Sequence, residues 1–362
     1  MGRMGVLLRR ANRVTSQPAV WLGLALVLDA VIAVGIVIGH GFKLTELLAA
    51  GPLLACARCN GRMTGLAVGY AIALCAIVAP FGGPTRATLE AYRVGTVLLA
   101  GVLAVLVAVI RTRRESALIL ICERVQRAIL RPLPAELGGV AFASHYQSAT
   151  TQALVGGDLY DITMTQFGPR FIIGDVKGKG LDAVGRCAAV LAAFRELAFA
   201  EADLVKLAEQ LDARLSRDME IEDFVTVIVA EFAPGVVRIA NCGHHPPVKL
   251  AAETAGLQIM APLAFSPPLG LHPHPARQDI VLNPGDRLLF YTDGLVETRD
   301  RAGRFFALDT RVAAALAAPD AARPELARPD LDGSIRRVVR LLLEHAADGL
   351  TDDVLLVLCE PL

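Results

Sequence analysis

Net charge is the first thing this sequence lacks. Its 36 lysines and arginines are balanced by 36 aspartates and glutamates. The C-terminal two thirds carry no basic block, which argues against nucleic acid as the main partner. A disulfide framework is missing too. Seven cysteines are scattered along the chain, and Cys187, Cys242 and Cys359 lie far apart in apolar surroundings, as in a reducing compartment. Cys56 and Cys59 have metal-ligand spacing, but neither a second pair nor a nearby histidine completes a zinc site. No G-x-S-x-G elbow is present, and no cysteine sits in a phosphate-cradling glycine loop. The glycine-rich stretch Gly174–Gly180 departs from the G-x-x-x-x-G-K-[ST] spacing of a nucleotide loop. No protein nucleophile suggests itself, so water is the economical attacking group.

What the chain has in excess is apolar residues. Mean hydropathy is +0.49, and 54% of residues are hydrophobic. The surplus lies in the first third. Val20 to Ile38, Leu66 to Phe81 and Val94 to Ile110 are runs long enough to span a bilayer. Leu44 to Ala57 is shorter and contains Glu46, so it reads as a tight span or a re-entrant segment. Arg3, Arg9, Arg10 and Arg13 precede the first run, and Arg111, Arg113 and Arg114 follow the last. The positive-inside rule puts both flanks in the cytoplasm, which requires an even number of spans. Four spans are therefore expected, with Arg58 and Arg62 in an inner loop. Further runs follow the first, so it reads as a span and not as a cleaved leader. Asp29 interrupts the first run and reads as a polar contact within the bundle.

Beyond Arg111, apolar residues at Leu118, Ile121, Val125 and Ile129 mark one face of a helix that Pro132 and Pro134 stop. Such a helix can pair with its twin and transmit a movement, or serve as a stiff spacer. From Gly139 onward the pattern is mixed α/β. Strands are expected over Ala141–Tyr146, Leu159–Thr163, Arg170–Ile173, Phe224–Phe232, Val236–Ala240, Arg287–Tyr291 and Val354–Leu358. Helices are expected over Leu181–Ala200, Asp203–Leu215, Leu308–Ala318 and Ile335–Ala347. Strands in clusters and helices in pairs favour sheets inside and helices outside over a doubly wound sheet.

Aspartates recur where the strand-like runs meet glycines: Gly156-Gly157-Asp158, Gly174-Asp175-Val176, Tyr291-Thr292-Asp293-Gly294 and Thr351-Asp352-Asp353. Each alone fits an ordinary turn. Together they are the carboxylates, distant in sequence and fixed at strand ends, that a hard divalent cation needs. Oxygen ligands favour Mg2+ or Mn2+ over zinc. Two such ions about 4 Å apart can activate a water for in-line attack on phosphorus. Lys177 and Lys179 can contact a phosphorylated substrate or remain solvated. In the turn Asn241-Cys242-Gly243-His244-His245-Pro246-Pro247, one histidine can line the cleft as proton donor, or the turn can use them structurally.

The segments GGDLYD (156–161), GDVKGKG (174–180), NCGHHPP (241–247), LLFYTDGLVE (288–297) and DDVLLVL (352–358) resemble the ordered signature of PPM/PP2C-type serine/threonine phosphatases, in the bacterial SpoIIE/RsbU-like branch. The resemblance runs from about Val140 to the C-terminus, and VQRAILRPLP (125–134) is similar to the lead-in helix of bacterial members. It implies a four-layer α/β/β/α sandwich of the PP2C type after an N-terminal α-helical transmembrane bundle. It implies two Mn2+ or Mg2+ ions, with a third, weaker ion. Asp158, Asp175, Asp293 and Asp352 fall on the acidic metal positions, and Val176 falls where a backbone carbonyl is used. Asp353 ranks behind Asp352, and His244 behind all the carboxylates. Leu355 stands where the family often has threonine, and Lys179 where many members have histidine.

The expected organisation is a basic cytoplasmic N-terminus (1–19), a membrane region (20–110), a linker helix (111–135) and a phosphatase domain (136–362). The implied substrate is phosphoserine or phosphothreonine on a cytoplasmic regulatory protein, such as an anti-sigma-factor antagonist in stress signalling. A bacterial membrane location and a homodimer through 111–135 complete the expectation, with no nucleic acid. The alternatives are a catalytically silent membrane-tethered interaction module, a receptor or transporter bundle regulated by the C-terminal domain, and a cyclase or phosphodiesterase using the same metal site.

Overall fold

The computed structural model describes residues 18–38, 45–79, 87–148, 156–217, 223–317, 330–346, 349–350 and 352–362. Arg3, Arg9, Arg10 and Arg13, Phe81 and Thr351, named above, lie outside the described residues. The chain divides into two compact units, Met1–Leu118 and Ile119–Leu362.

The first unit contains α1 (Pro18–Ile38), a 3-10 turn (Thr45–Ala49), α2 (Ala50–Cys56), α3 (Gly61–Val78) and the start of α4 (Ala87–Ile129). Among the described residues, three helices are long and apolar enough to cross a membrane: Pro18–Ile38, Gly61–Val78 and Ala91–Ile121. Its packing is the reverse of a water-soluble core. Small residues such as Ala25, Ala67, Ala71 and Ala108 are buried, while Val27, Val31, Leu66 and Leu99 are exposed. Helices in lipid associate in this way, through close backbone approach.

Thr45–Cys56 provides only a five-residue 3-10 turn and a seven-residue helix, about 20 Å of rise. Even so, it runs back along the whole of α1. Glu46 pairs with Arg93 (3.4 Å), the Gly51 N–H donates to Asp29 Oδ1 (2.9 Å), and the Cys59 thiol donates to the Pro18 carbonyl (3.3 Å). A Cβ on Gly51 would lie 2.1 Å from Asp29 Oδ2, so the glycine makes room for that carboxylate. Arg111 on α4 donates to the carbonyls of Ala57 and Cys59 at 2.9 and 2.7 Å. Pro18, Cys59 and Arg111 therefore share one end of the bundle, and the backbone traverses it four times. The linker helix expected from about Arg111 is no separate element: α4 runs unbroken to Ile129, and Pro132 follows.

In the second unit every strand pairing within the sheets is antiparallel. One sheet has the order β1 (Glu136–Leu137), β2 (Val140–Gln147), β11 (Val354–Pro361), β10 (Arg287–Tyr291), β7 (Val248–Leu250), β8 (Leu257–Ile259). The other has β3 (Asp158–Thr165), β4 (Gly168–Val176), β5 (Val225–Ala233), β6 (Val236–Cys242), β9 (Arg277–Val281). Central β5 reads Val-Thr-Val-Ile-Val-Ala-Glu-Phe-Ala and is buried almost throughout, as its β-branched content requires. The hairpin from β5 to β6 turns at Gly235, whose φ of +71° suits glycine.

The inner faces meet through aromatic pairs, Phe142 against Phe232 (centroids 5.2 Å apart) and Phe171 against Phe290 (5.1 Å). Helices α5 (Leu181–Ala200) and α6 (Leu204–Leu215) cover the five-stranded sheet. Helices α8 (Thr310–Ala317) and α9 (Leu331–His345) cover the six-stranded one, with α7 (Asp293–Glu297) as a short turn after β10. Asp203 and Asp330 cap α6 and α9 by accepting backbone N–H groups of their first turns. The result is the four-layer α/β/β/α sandwich.

Candidate metal centre

Each functional aspartate sits where a strand meets a glycine or a turn, and the sheet register brings these ends together. Asp158 opens β3 and Asp175 lies near the end of β4, and the two are direct cross-strand partners. In the other sheet β10 ends at Tyr291, beside the start of β11, and Leu356 is its cross-strand partner. Asp293 follows the first of these strands, and Asp352 and Asp353 precede the second.

Thr292 ties the sheets to each other. Its hydroxyl donates to Asp158 Oδ2 (2.9 Å) and accepts the Leu355 N–H (3.0 Å). A Cβ on Gly294 would stand 1.9 Å from the Asp353 carbonyl, so only glycine lets these two segments touch.

The electrostatics are those of carboxylates forced together. Burial first, then the charge of Asp175, holds Asp158 well above the ordinary carboxyl range. Asp175 is pushed up to about 7 by burial and by Asp293, Asp352 and Asp353, with Lys179 opposing. Asp293 is raised by burial and then by Asp352. Lys179 Nζ lies 2.6 Å from Asp352 Oδ1. Burial works against that ammonium, but the Asp352 hydrogen bond and the surrounding carboxylates outweigh it and raise its value.

Among the described residues, no three histidine, cysteine or carboxylate side chains already close on one point. The donors are gathered, with their repulsion uncompensated, and a cation supplies what such a set lacks. A cradle exists for one. The position that a Cβ on Gly157 would take is 2.1 Å from the Val176 carbonyl oxygen and 2.7 Å from Asp175 Oδ1. Two of the expected ligand oxygens thus converge on space kept open by a missing side chain. An all-oxygen set of this kind suits Mg2+ or Mn2+.

Asp352 and Asp353 are sharply different. Asp353 is buried and accepts from Tyr146 Oη (2.6 Å), Ser148 Oγ (3.1 Å) and the Gly156 N–H (2.8 Å). Its carboxylate is engaged in holding β2 and the 156–157 turn. Asp352 is half-exposed and, among the described residues, meets Lys179 and the Asp353 N–H, which leaves it able to turn toward a cation.

His244 is buried, with both ring nitrogens in use. Nε2 lies 3.1 Å from the Tyr291 carbonyl, which can only accept, so Nε2 carries the proton. Nδ1 therefore accepts from Thr226 Oγ1 at 2.9 Å. Asn241 brackets the residue, accepting its N–H and donating to its carbonyl. Burial, then His245, pushes its value down to about 3, and it stays neutral. Thr226 is the cross-strand partner of Asp175 and Tyr291 is two residues before Asp293. His244 is thus a brace between the two sheets that carry these aspartates, and the cleft proton donor expected of it is not the role its surroundings provide. Cys187, whose thiol donates to the Gly157 carbonyl (3.1 Å), has its value pushed up by burial, which makes a thiolate nucleophile unavailable.

Thr292, Thr226, Tyr146 and Ser148 were not anticipated from the sequence. Hydroxyls of this kind carry no spacing signal, although Thr292 stands inside the YTDG run.

Comparison with known proteins agrees with this architecture. The profile of the family described as Stage II sporulation protein E (SpoIIE) matches residues 167–361. The chain belongs to the SpoIIE family. Its C-terminal unit has the PP2C-type fold. Among solved structures, the RsbU and RsbW domains of Rv1364c from Mycobacterium tuberculosis are similar at 26% identity and a TM-score of 0.50, with 62% of this chain and 60% of that one covered. The chain therefore spans about three fifths of that relative's length. The SiaA-PP2C domain of Pseudomonas aeruginosa shares the fold, with a TM-score of 0.54 at 20% identity, covering 70% of this chain and 97% of the other.

Proposed function

We propose that this SpoIIE-family chain is a membrane-anchored, metal-dependent phosphatase that removes phosphate from phosphoserine or phosphothreonine of a cytoplasmic regulatory protein. One observation carries the reading: strand-end carboxylates from two sheets are desolvated against one another beside the open cradle at Gly157. Asp158, Asp175, Asp293 and Asp352, with the Val176 carbonyl, would hold two divalent cations. When bound, such ions supply an activated water for in-line attack and neutralise the charge that spreads over the phosphoryl oxygens.

The chain's own residues do the rest. Thr292 orients Asp158, Asp353 fixes the 156–157 turn, and His244 sets the spacing of Asp175 and Asp293. Lys179, poised beside Asp352, is placed to donate to a phosphoryl oxygen.

The four passes of the first unit, with Pro18 and Arg111 at one end, support a four-span anchor whose basic flanks face the cytoplasm. Leu118, Ile121 and Val125 are exposed along one side of α4, which supports a homodimer through 111–135. Partner-switching control of a sigma factor, through an antagonist protein as substrate, is the signalling context that this family places around such a domain.

The test is hydrolysis of p-nitrophenyl phosphate and of phosphothreonine peptides by the full-length chain in detergent, with and without Mn2+. Mn2+-dependent turnover that disappears in Asp158→Asn and Asp293→Asn is expected. Turnover that survives either change, or none in the parent protein with any divalent cation, would sink the reading.

A further inference from the structure

The surface next to the carboxylates holds a second feature that the chemistry does not use. A cavity of about 230 Å³ opens beside the His244–His245 turn, walled by His245, Pro246, Pro262, Phe265 and Ser266. One wall belongs to the metal centre. The His245 ring stacks on Tyr291, two residues before Asp293, with centroids 5.9 Å apart and planes at 26°. The opposite wall is the loop between β8 and β9.

That loop is held as firmly as a secondary-structure element. The Met260 N–H donates to the Pro247 carbonyl (2.9 Å), and Gln278 Nε2 to the Ala261 carbonyl (3.0 Å). Leu269 exchanges backbone hydrogen bonds with Val225 (2.9 and 3.0 Å), and the Gly270 N–H donates to Asp212 Oδ1 (2.6 Å). The Ser266 hydroxyl accepts the His274 N–H (2.9 Å). Gly243, at φ +70°, admits the Pro268 ring, which a Cβ would meet at 2.8 Å. Prolines at 262, 267, 268, 273 and 275 remove much of the remaining freedom.

Against this fixed frame Leu263 is 74% exposed and Phe265 92% exposed. Apolar side chains presented to water from a rigid loop incur little backbone ordering cost when a partner covers them, which is how binding anchors are built. Pro246, Pro262 and Phe265 supply the apolar walls beside the two histidines, Asn241, Gly243 and Ser266, and no carboxylate, lysine or arginine is among them. Such a pocket suits an aliphatic side chain and rejects a charged one.

We propose that this pocket docks an apolar side chain flanking the phosphorylated serine or threonine of the substrate protein. The inference rests on the phosphatase reading, because only a chain whose phosphate reaches Asp293 is certain to pass the His245 wall. An extended peptide advances about 3.3 Å per residue, so the docked residue lies within a few positions of the phosphoresidue. Phosphate chemistry then supplies turnover, and this pocket supplies the choice between phosphoproteins.

The test uses fluorescein-labelled phosphothreonine peptides that differ only by leucine or serine at single flanking positions. Binding to the full-length chain in detergent is read by anisotropy, and turnover with Mn2+ is read as kcat/KM. At one flanking position the leucine peptide is expected to be favoured about tenfold or more, mostly through KM. Phe265→Ser should bring that ratio close to one, while Phe265→Leu should keep most of it.

A ratio that stays the same in Phe265→Ser, even with both peptides weakened, makes the loop merely structural and overturns the proposal. So does the absence of leucine preference at every position. So does a change of oligomeric state in Phe265→Ser during sedimentation, which would assign the apolar surface to a second copy of the chain. Leucine-dependent binding without any hydrolysis would instead remove the phosphatase reading and leave the docking site standing.

Discussion

Removing one negative charge from the carboxylate cluster should strengthen the fold while destroying the site. Asp175→Asn is the sharpest such change, because its carboxyl is pushed from 3.8 to about 7, first by burial and then by Asp293, Asp352 and Asp353. At about 1.4 kcal/mol per pH unit, that rise corresponds to about 4 kcal/mol withheld from the folded state once the group ionises. The figure belongs to the cluster, since its neighbours share in it. The sign follows from a raised folded value. Below about pH 4 the carboxyl is protonated in folded and unfolded chains alike, and its contribution is fully present. Between about pH 4 and 7 the unfolded chain releases the proton while the folded one keeps it, so stability falls as pH rises. Above about 7 the loss is complete and level.

In EDTA, calorimetry of the detergent-solubilised chain should therefore show the transition of the C-terminal unit dropping by roughly 10 °C across that window. Asp175→Asn should flatten much of the drop and raise the metal-free midpoint at pH 8. Mn2+ should stabilise the parent protein strongly at pH 8, by ligand linkage, and the variant hardly at all. A variant that is less stable than the parent in EDTA at pH 8, or one that keeps the full Mn2+ shift, would refute the reasoning. In the first case the carboxylate would be a structural acceptor, and in the second no ligand.

Two other substitutions test the frame around the ions. Gly157→Ala places a methyl 2.1 Å from the Val176 carbonyl oxygen. Mn2+ affinity measured by titration calorimetry should fall about 10- to 100-fold, and unchanged affinity would mean that the cradle is not where a cation sits. His244→Ala strands the Tyr291 carbonyl and the Thr226 hydroxyl and leaves a cavity, at a cost of roughly 3 kcal/mol of stability. Because His244 is already neutral, with a value near 3, the pH profile of any activity left in the variant should match the parent's between pH 5 and 9. Loss of a basic limb from that profile would instead make the imidazole a proton donor in the reaction.

The elements that position the site could be read from the sequence because their signals are local. β4 and β10 are apolar runs that end at Gly-Asp and Thr-Asp-Gly, β3 opens on Gly-Gly-Asp, β5 is a β-branched run closed by Pro234-Gly235, and α5 begins after the turn containing Gly178 and Gly180, both at positive φ. β7 and β8, of three residues each, and the edge strand β9 escaped notice because none shows a sustained alternation. The choice between Asp352 and Asp353 shows where local reading stops. Both precede β11, and nothing local distinguishes their surroundings. What distinguishes them lies 207 residues away, where Tyr146 donates to Asp353, and in the 156–157 turn, whose N–H does the same.

The two histidines divide in the same way. Successive side chains point apart, so one of the pair had to face inward, but only the register of β5 against β4 and the end of β10 decides which. His244 turns in and joins the sheets, and His245 is left on the surface against Tyr291. A histidine pair that looked like a candidate for proton transfer thereby becomes one strut and one wall. The strut ties the strand that bears Asp175 to the strand that leads into Asp293. The wall carries the metal centre's edge out to the Phe265 loop, where a protein substrate, unlike a small phosphate ester, has something more to touch.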